Sequence, residues 1–318
     1  MDFVKLEKDT ITVQQFEQLI HLEETCGLEP FSPEMLQECI EDMDTYAFTE
    51  GDTILGFITI HSSVRYFGGG LYIVNLNVSR DKRRCGIGEK LMRTALAQYS
   101  QYSNVTVTLD VAKDNAAALN LYQKLRFILT DLPSGNGEND YVMIARLGKL
   151  LGSVKTERLF LRPIPLSDAD QLADILRNDT VKQTYMVPDL TEDAALTLAK
   201  KIALLSADSS RYIRGIYLDG ALIGQLNDVS TENGSIELGW FIHPDYHNKG
   251  IATEAAKAAI DDLFTKGYDQ VVAGAFSENL ASMRVMQKAG MQLQEFTEEI
   301  EYRGKIHHCI YYAIRRTV

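Results

Sequence analysis

One feature of this sequence constrains its fold more than any other: a short glycine motif occurs twice, 164 residues apart. The segment 83–88 reads RRCGIG, and the segment 247–252 reads HNKGIA. At the same spacing Asn115 corresponds to Asn279. Self-similarity at a fixed spacing indicates repeated copies of one structural unit. The sequence therefore predicts two copies of one domain.

The length agrees with two domains. The chain has 318 residues, and one domain takes about 150 residues. The seam lies near residues 147–153, LGKLLGS, where one strand pattern ends and another soon begins. We predict a first domain over 1–149 and a second over 154–318, joined by a short linker.

Each copy shows the same order of patterns: an opening strand, one or two amphipathic helices, a run of strands, then helix, strand, helix and two strands. The central strand, helix, strand and helix are expected at 71–78, 86–101, 105–111 and 115–125, and again at 235–242, 251–264, 271–276 and 280–289. A helical crossover between neighbouring strands makes them parallel, whereas the preceding hairpins are antiparallel. We therefore predict an α+β (mixed α/β) fold, in which each domain is a mostly antiparallel sheet with one central parallel pair, flanked by helices.

Charge and composition exclude several classes of partner. The chain has 32 basic and 44 acidic residues, a net charge of −12, which repels nucleic acids and anionic membranes. Residues 1–50 alone hold 13 Asp or Glu against two Lys. No apolar stretch is long enough to span a membrane, and the N-terminus lacks a signal-peptide pattern. Four cysteines without paired spacing indicate a reduced compartment, so we expect a cytoplasmic protein without nucleic-acid or membrane partners.

Several motifs of other enzymes fail. Leu91 stands where a dinucleotide-binding G-x-G-x-x-G needs a small residue, and neither Gly-Lys pair of the chain is followed by Ser or Thr. No G-x-S-x-G is present. The cluster at 307–309, HHC, belongs to a strand pattern, so its side chains alternate between faces and do not converge on a metal. We expect no metal site.

The repeated glycine motif suits an anion. A loop that leads into a helix N-terminus presents free N–H groups and the positive end of the helix dipole to a phosphate. Small residues at Gly86 and Gly88, and at Gly250 and Ala252, allow close approach, while basic side chains add charge. The alternative is a strand-to-helix turn with a solvated basic rim.

With these motifs the chain resembles the GNAT superfamily of acyl-CoA N-acyltransferases. The first copy has R-x-x-G-x-G from Arg83, then N-x-x-A-x-x-L-Y-x-K-x-x-F from Asn115, with Arg126 where a glycine is usual. The second copy resembles the branch of ribosomal-protein N-terminal acetyltransferases, through TERLFLRP at 156–163, ELGW at 237–240 and YHNKGIATEA at 246–255. His247 replaces the more usual Gln or Arg.

The resemblance implies that the central parallel pair of each domain splays to admit the pantetheine arm of acetyl-CoA, with its pyrophosphate on the loop. The implied cofactor-binding residues are Val78, Arg83, Arg84, Gly86, Ile87, Gly88 and Asn115 in the first copy, and Ile242, His247, Asn248, Lys249, Gly250, Ile251, Ala252 and Asn279 in the second. Acetyl-CoA is then a co-substrate.

The two copies carry different candidate catalytic residues. The resemblance makes Tyr122 the general acid of the first copy, unless it is only packed on its helix; Met286 stands at the corresponding position of the second. There we expect Ser282 near the thiol and Glu237 as the base, or Glu237 as a structural partner. In the first copy Val74 and Asn75 occupy the strand where many relatives carry a carboxylate, so its base is not identified. At the spacing of 164, Glu237 corresponds to Ile73.

The sequence thus predicts an acetyl-CoA-dependent N-acetyltransferase that acts on a small amine or a peptide N-terminus by direct attack on the thioester. The alternative is that one or both halves are catalytically silent acyl-CoA-binding or scaffold domains. Two similar domains in one chain are compatible with a monomer containing an internal pseudo-dimer or with a homodimer.

Overall fold

The computed structural model describes residues 1–26, 30–63 and 69–317. The chain divides into two compact units, Met1–Gly152 and Ser153–Val318, called here the first and the second unit. Each contains one mixed sheet with flanking helices, so the predicted fold class is confirmed.

The first unit follows the predicted order of elements. Its described strands are β1 (Asp2–Leu6), β2 (Asp44–Glu50), β3 (Thr53–Ser62), β4 (Leu71–Val78), β5 (Thr106–Ala112), β6 (Ile128–Leu129) and β7 (Asp140–Arg146). Its described helices are α1 (Val13–Cys26), α2 (Pro33–Asp42), α3 (Ile87–Ala97), α4 (Ala116–Lys124) and α5 (Leu147–Leu151). The strands lie in the order β1-β2-β3-β4-β5-β7-β6.

The second unit repeats this plan. Its strands are β8 (Val154–Lys155), β9 (Leu159–Arg162), β10 (Ile213–Leu218), β11 (Ala221–Glu232), β12 (Ser235–Ile242), β13 (Gln270–Phe276), β14 (Gln292–Tyr302) and β15 (Lys305–Arg315). Its helices are α6 (Ala169–Arg177), α7 (Asp179–Thr184), α8 (Glu192–Ser206), α9 (Ile251–Thr265) and α10 (Leu280–Lys288). The strands lie in the order β14-β15-β13-β12-β11-β10-β9-β8.

Local signals set the helix boundaries. The Ser32 side chain accepts a hydrogen bond from the N–H of Met35, and Pro33 opens α2. Thr191 caps α8 in the same way through the N–H of Ala194. A side-chain oxygen at this position satisfies one of the N–H groups that the first helical turn leaves free.

Two details differ from the sequence prediction. The segment at 147–153 is not simply a linker, because its first five residues form α5, which packs against α3 and receives a hydrogen bond from Arg93 to the Leu150 carbonyl. The second unit has three helices between its opening strands and β10, where one or two were expected. The leucines of α5 and the helical pattern of α7 were too short to stand out in the sequence.

The central parallel pair is short in both units. Strands β4 and β5 pair only over residues 71–73 and 107–109, although both strands continue. Strands β12 and β13 pair only over 235–237 and 270–272. Beyond these pairs the strands diverge, which opens each sheet at its centre.

A β-bulge lies beside each opening, on a different strand in each unit. In the first unit Thr59 pairs with Asn75 and Ile60 with Ile73, which leaves Val74 as the extra residue of β4. In the second unit the register shifts at Val229 of β11 instead. A bulge reverses which residues face each side of the sheet, so the faces of β4 and β12 do not match by simple residue counting.

Candidate active site

The two glycine loops have the same backbone conformation. Each leaves its strand through one 3₁₀ turn and has two residues with left-handed backbone before the helix. In the first loop these are Arg84 (φ 63°) and Gly86 (φ 78°), and in the second Asn248 (φ 60°) and Gly250 (φ 76°). Gly86 and Gly250 are the residues directly before α3 and α9. Glycine adopts positive φ without steric cost, which accounts for Gly86 and Gly250, whereas Arg84 and Asn248 adopt it as non-glycine residues.

Each loop presents a run of free backbone donors. Among the described residues, no acceptor binds the N–H groups of residues 84–89 or of residues 248–253. These runs include the predicted residues Ile87, Gly88, Ile251 and Ala252, which form the first turns of α3 and α9. Consecutive free N–H groups at a helix N-terminus form a site for a phosphate.

Arg83 and His247 have a role that the sequence did not predict. Arg83 Nε donates to the carbonyl of Val78 at 3.2 Å, and His247 Nε2 donates to the carbonyl of Ile242 at 2.9 Å. Both side chains therefore tie the loop to the last residue of the strand before it. Because a histidine does this as well as an arginine, the substitution at position 247 preserves the loop geometry.

The remaining predicted cofactor residues lie at the helix ends. Asn115 Oδ1 accepts from the Ala118 N–H, and Asn279 Oδ1 accepts from the Ser282 N–H, each at 3.1 Å. Both asparagines are thus N-caps, of α4 and α10. Lys249 is exposed and its Nζ donates to the Asp245 carbonyl. Their contact with a cofactor stays a prediction.

In the second unit the sheet opening leads into a cavity of about 400 Å³. One part of its wall comes from β12, β13 and α10 and includes Trp240, Asn279 and Ser282. Another part comes from the end of α7, the residues after it and the β14–β15 hairpin, and includes Met186 and Tyr311. The structure therefore brings the predicted Glu237, Ser282 and Asn279 together around one cavity.

Glu237 stands where β12 and β13 begin to diverge. Its carboxylate accepts a hydrogen bond from the Ser230 hydroxyl at 3.1 Å, and among the described residues no cation lies within ion-pair distance. Burial raises the pKa of Glu237, and the nearby Glu298 raises it further. A half-buried carboxylate with an elevated pKa has the properties of a general base, and no arginine of the described residues pairs with Glu237.

Tyr122 of the first unit is buried on α4, with its ring 5.8 Å from that of Phe127. No group of the described residues hydrogen-bonds to its hydroxyl. Burial raises the pKa of Tyr122 to about 12, so the hydroxyl is protonated at neutral pH and is available as a donor. Met286, the corresponding residue of the second unit, is buried in the core.

The structure corrects the expected correspondence between Ile73 and Glu237. Tyr72 pairs with Thr108 in the first unit, and Glu237 pairs with Val272 in the second. Thr108 and Val272 are 164 residues apart, so Tyr72 is the spatial counterpart of Glu237. The prediction from constant spacing is wrong because the bulge at Val74 adds one residue to β4.

Sequence reasoning also missed a buried carboxylate in the first unit. Glu23 on α1 is 3% exposed, and its Oε1 accepts from the side-chain amides of Asn75 at 3.0 Å and Asn77 at 2.6 Å. Burial raises the pKa of Glu23. The two asparagines at alternate positions of a strand were the available signal, since polar side chains inside a strand need a partner.

A second missed feature is a clamp on the loop of the second unit. Arg158 donates to Glu254 of α9 through Nε at 2.7 Å and to the Lys249 carbonyl through NH1 at 3.0 Å. Glu254 also accepts from the Thr156 hydroxyl. The segment before β9 thereby holds the loop and the first turn of α9 together.

Other kinds of site are not seen in the described part of the chain. No group of three or more His, Cys, Asp or Glu there is arranged to hold a metal ion. Cys39, Cys85 and Cys309 are free thiols. No described helix is both long and apolar enough to cross a membrane.

Family comparison assigns each unit. The family model described as "Acetyltransferase (GNAT) family" matches residues 16–127, and the one described as "Acetyltransferase (GNAT) domain" matches residues 158–292. Both units belong to the GNAT family. The predicted family is confirmed, and this tandem GNAT protein is an acyltransferase.

Individual relatives each match about half of the GNAT chain or less. Uncharacterized N-acetyltransferase YnaD of Bacillus subtilis is 27% identical over 154 residues, 48% of this chain and 89% of the relative. N-alpha-acetyltransferase daf-31 of Caenorhabditis elegans is 39% identical over 83 residues, 24% of this chain and 46% of the relative. A solved GNAT acetyltransferase from Bacillus anthracis is 24% identical, with 51% of this chain and 98% of that chain covered and a TM-score of 0.46. RimL, a ribosomal L7/L12 alpha-N-protein acetyltransferase solved with coenzyme A, is 18% identical, with 51% and 97% covered and a TM-score of 0.47.

Proposed function

We propose that the chain consists of two acetyltransferase domains, 1–149 and 154–318. Each domain binds acetyl-CoA, and the protein transfers the acetyl group to a primary amine. The observation that carries this proposal is the duplicated loop: six consecutive free N–H groups beside a splayed parallel pair, in the same conformation twice. Pyrophosphate is the group that such a loop suits. The acetyl thioester supplies the electrophilic carbonyl carbon.

In the second unit we assign the chemistry to the cavity around Glu237. An alkylammonium has a pKa near 10 and is mostly protonated at neutral pH, so the acceptor must lose a proton before its nitrogen attacks. Glu237 is the carboxylate that takes this proton, and Ser282, which lines the same cavity, is assigned to the departing thiol. In the first unit Tyr122 donates a proton to the thiolate.

The acceptor is a small amine or a peptide N-terminus. The described residues that line the cavity include Glu237 and Asp228 but no Lys, Arg or His. Asp228 is already paired with Arg211, whose Nε lies 2.7 Å from Oδ2. The cavity therefore offers one unpaired carboxylate to one cationic group. The names of the N-acetyltransferase relatives support nitrogen as the accepting atom.

The test is release of free thiol from acetyl-CoA with a panel of small primary amines and one peptide with a free N-terminus. The same peptide with a blocked N-terminus is the matched control. We expect thiol release with at least one free amine and none with the blocked peptide. Calorimetric binding of CoA without any thiol release would instead support silent acyl-CoA-binding domains.

A further inference from the structure

Two side chains of the first unit meet where β4 and β5 diverge. Leu109 is the last residue of β5 that pairs with β4, so Asp110 is the first residue beyond the parallel pair. The hydroxyl of Tyr72 donates a hydrogen bond to Asp110 Oδ2. A tyrosine on one strand thus holds a carboxylate on the other at the apex of the opening.

The second unit shows what this position faces. Asp110 corresponds to Gly274, which lines the cavity that contains Glu237. A Cβ atom on Gly274 would lie 2.7 Å from the ring of Tyr311, its partner on β15, so no side chain fits there. In the first unit the partner of Asp110 is the smaller Val142, which leaves room for the carboxylate.

The carboxylate and the tyrosine therefore lie on different strands in the two units. The second unit has its carboxylate, Glu237, on the strand before the loop and a tyrosine opposite the next strand. The first unit has Tyr72 at the place of Glu237 and its carboxylate one strand further on. In both units a carboxylate and a phenol lie at the point where the parallel strands separate.

The two oxygens of Asp110 are not equivalent. Oδ2 accepts from Tyr72, whereas Oδ1 is buried and has no hydrogen-bond partner among the described residues. A buried carboxylate oxygen without a donor is costly, and Asp110 Oδ1 is the one such atom in the described residues that belongs to the diverging ends of β4 and β5. An ammonium or amine N–H group in the opening would supply the missing donor.

We propose that Asp110 is the catalytic base of the first unit and that Tyr72 is its positioning residue; this rests on the proposed acetyl transfer by that unit. Asp110 Oδ1 takes one proton from the acceptor ammonium. The freed nitrogen forms a bond to the thioester carbonyl carbon, the carbon–sulfur bond breaks, and the second proton of the nitrogen passes to solvent. The departing thiolate takes a proton from Tyr122, which regains it from solvent, and Asp110 releases its proton to solvent before the next turnover.

The experiment uses the full chain carrying Gly250→Val, which blocks the loop of the second unit, so that transfer reports on the first. Asp110→Asn and Tyr72→Phe are compared with Asp52→Asn, a matched change at an exposed hairpin turn. The probes are acetyl-CoA with ethylamine and with 2,2,2-trifluoroethylamine, an amine of similar size that is unprotonated at neutral pH. Calorimetry measures CoA binding, and thermal unfolding monitors the fold of each variant.

We expect Asp110→Asn to lower kcat with ethylamine about 100-fold or more and to lower it clearly less with trifluoroethylamine, at unchanged CoA affinity. Tyr72→Phe, which keeps the ring, should cost about tenfold, and Asp52→Asn should cost nothing. An equal loss with both amines, or unchanged activity of Asp110→Asn, would overturn the role of Asp110 but not the proposed activity of the first unit. Absence of all transfer in the Gly250→Val chain would overturn the proposed activity of the first unit, and this inference with it.

Discussion

At the residue scale, the site of the second unit contains a carboxylate, Glu237, whose ionisation does not stabilise the folded protein. Glu237 is half-buried with one hydroxyl donor, and burial raises its pKa. A carboxyl whose pKa is higher in the folded than in the unfolded protein stabilises the fold fully only below its unfolded pKa. That contribution is lost as the pH rises through the folded pKa. The raised pKa therefore does not favour stability at neutral pH, and it suits the proposed role of Glu237 as a base.

Glu237→Gln is expected to lower kcat about 100-fold while the unfolding temperature at neutral pH stays at or above that of the wild type. Relative to the wild type, the variant should gain stability as the pH rises from below the ordinary value of a Glu through the raised pKa of Glu237. Thermal unfolding between pH 4 and 8 measures this. Glu295→Gln, at an exposed position of β14, is the control, and a variant that is less stable at pH 8 than at pH 4 relative to wild type contradicts the assignment.

Tyr122 allows activity to be tested without a change in stability, because its ring is packed but its hydroxyl hydrogen-bonds to no described residue. Tyr122→Phe should leave the unfolding temperature nearly unchanged and lower the activity of the first unit about 100-fold. Tyr141→Phe, at a largely exposed ring on β7, controls for loss of a hydroxyl. Full activity of Tyr122→Phe would assign the ring a packing role only.

At the element scale, the cofactor loop depends on the chain segment that precedes β9. Arg158 donates hydrogen bonds to the loop and to Glu254 of α9, and Glu254 also accepts a hydrogen bond from Thr156. Several hydrogen bonds with charged partners converge here, so they order the backbone whose free donors we propose to bind an anion. In the first unit this region is organised differently: Glu89 of α3 pairs with Arg93 and Lys124.

Arg158→Ala should weaken CoA binding to the second unit roughly three- to tenfold, the effect of losing about 1 kcal/mol from partly exposed hydrogen bonds that order the loop, with little change in kcat. The split between affinity and kcat is the deciding readout, from calorimetry and steady-state kinetics. Arg177→Ala removes a surface ion pair with Glu192 and is the matched control. A fall in kcat at unchanged affinity would show that Arg158 acts on the chemistry instead.

At the scale of the whole molecule, one backbone plan carries two chemistries. Both units retain the loop, the short parallel pair and the capping asparagine. The side chains at the point where the parallel strands diverge differ: Tyr72 and Asp110 in the first unit, and Glu237 in the second. We therefore propose that cofactor binding is duplicated, whereas proton transfer uses different residues in each unit.

The whole chain should bind two molecules of CoA, and Gly86→Val and Gly250→Val should each remove one. Valine strains the left-handed backbone at these positions and places its side chain where the anion approaches. Gly51→Val and Gly220→Val impose similar backbone strain at hairpin turns with open space around them and should retain both sites. Calorimetric stoichiometry measures this, and a single site abolished by one substitution would leave the other loop a purely structural turn.

Much of this arrangement followed from the sequence alone. The glycine motif, the asparagine 29 residues after its glycine and the alternating apolar positions are local patterns, and local backbone preference sets both the loop and the caps. These features predicted the duplication, the family and the position of Glu237 on its strand. They are encoded by residues close together in the chain.

The tertiary structure alone decided which residues meet. The bulge at Val74 depends on pairing between β3 and β4, and it moves Tyr72 rather than Ile73 to the place of Glu237. The contacts of Asp110 with Tyr72 and of Glu23 with Asn75 join residues 38 and 52 positions apart. Register and long-range contacts result from the balance of packing over the whole sheet, so no pattern within one segment of the sequence determines them.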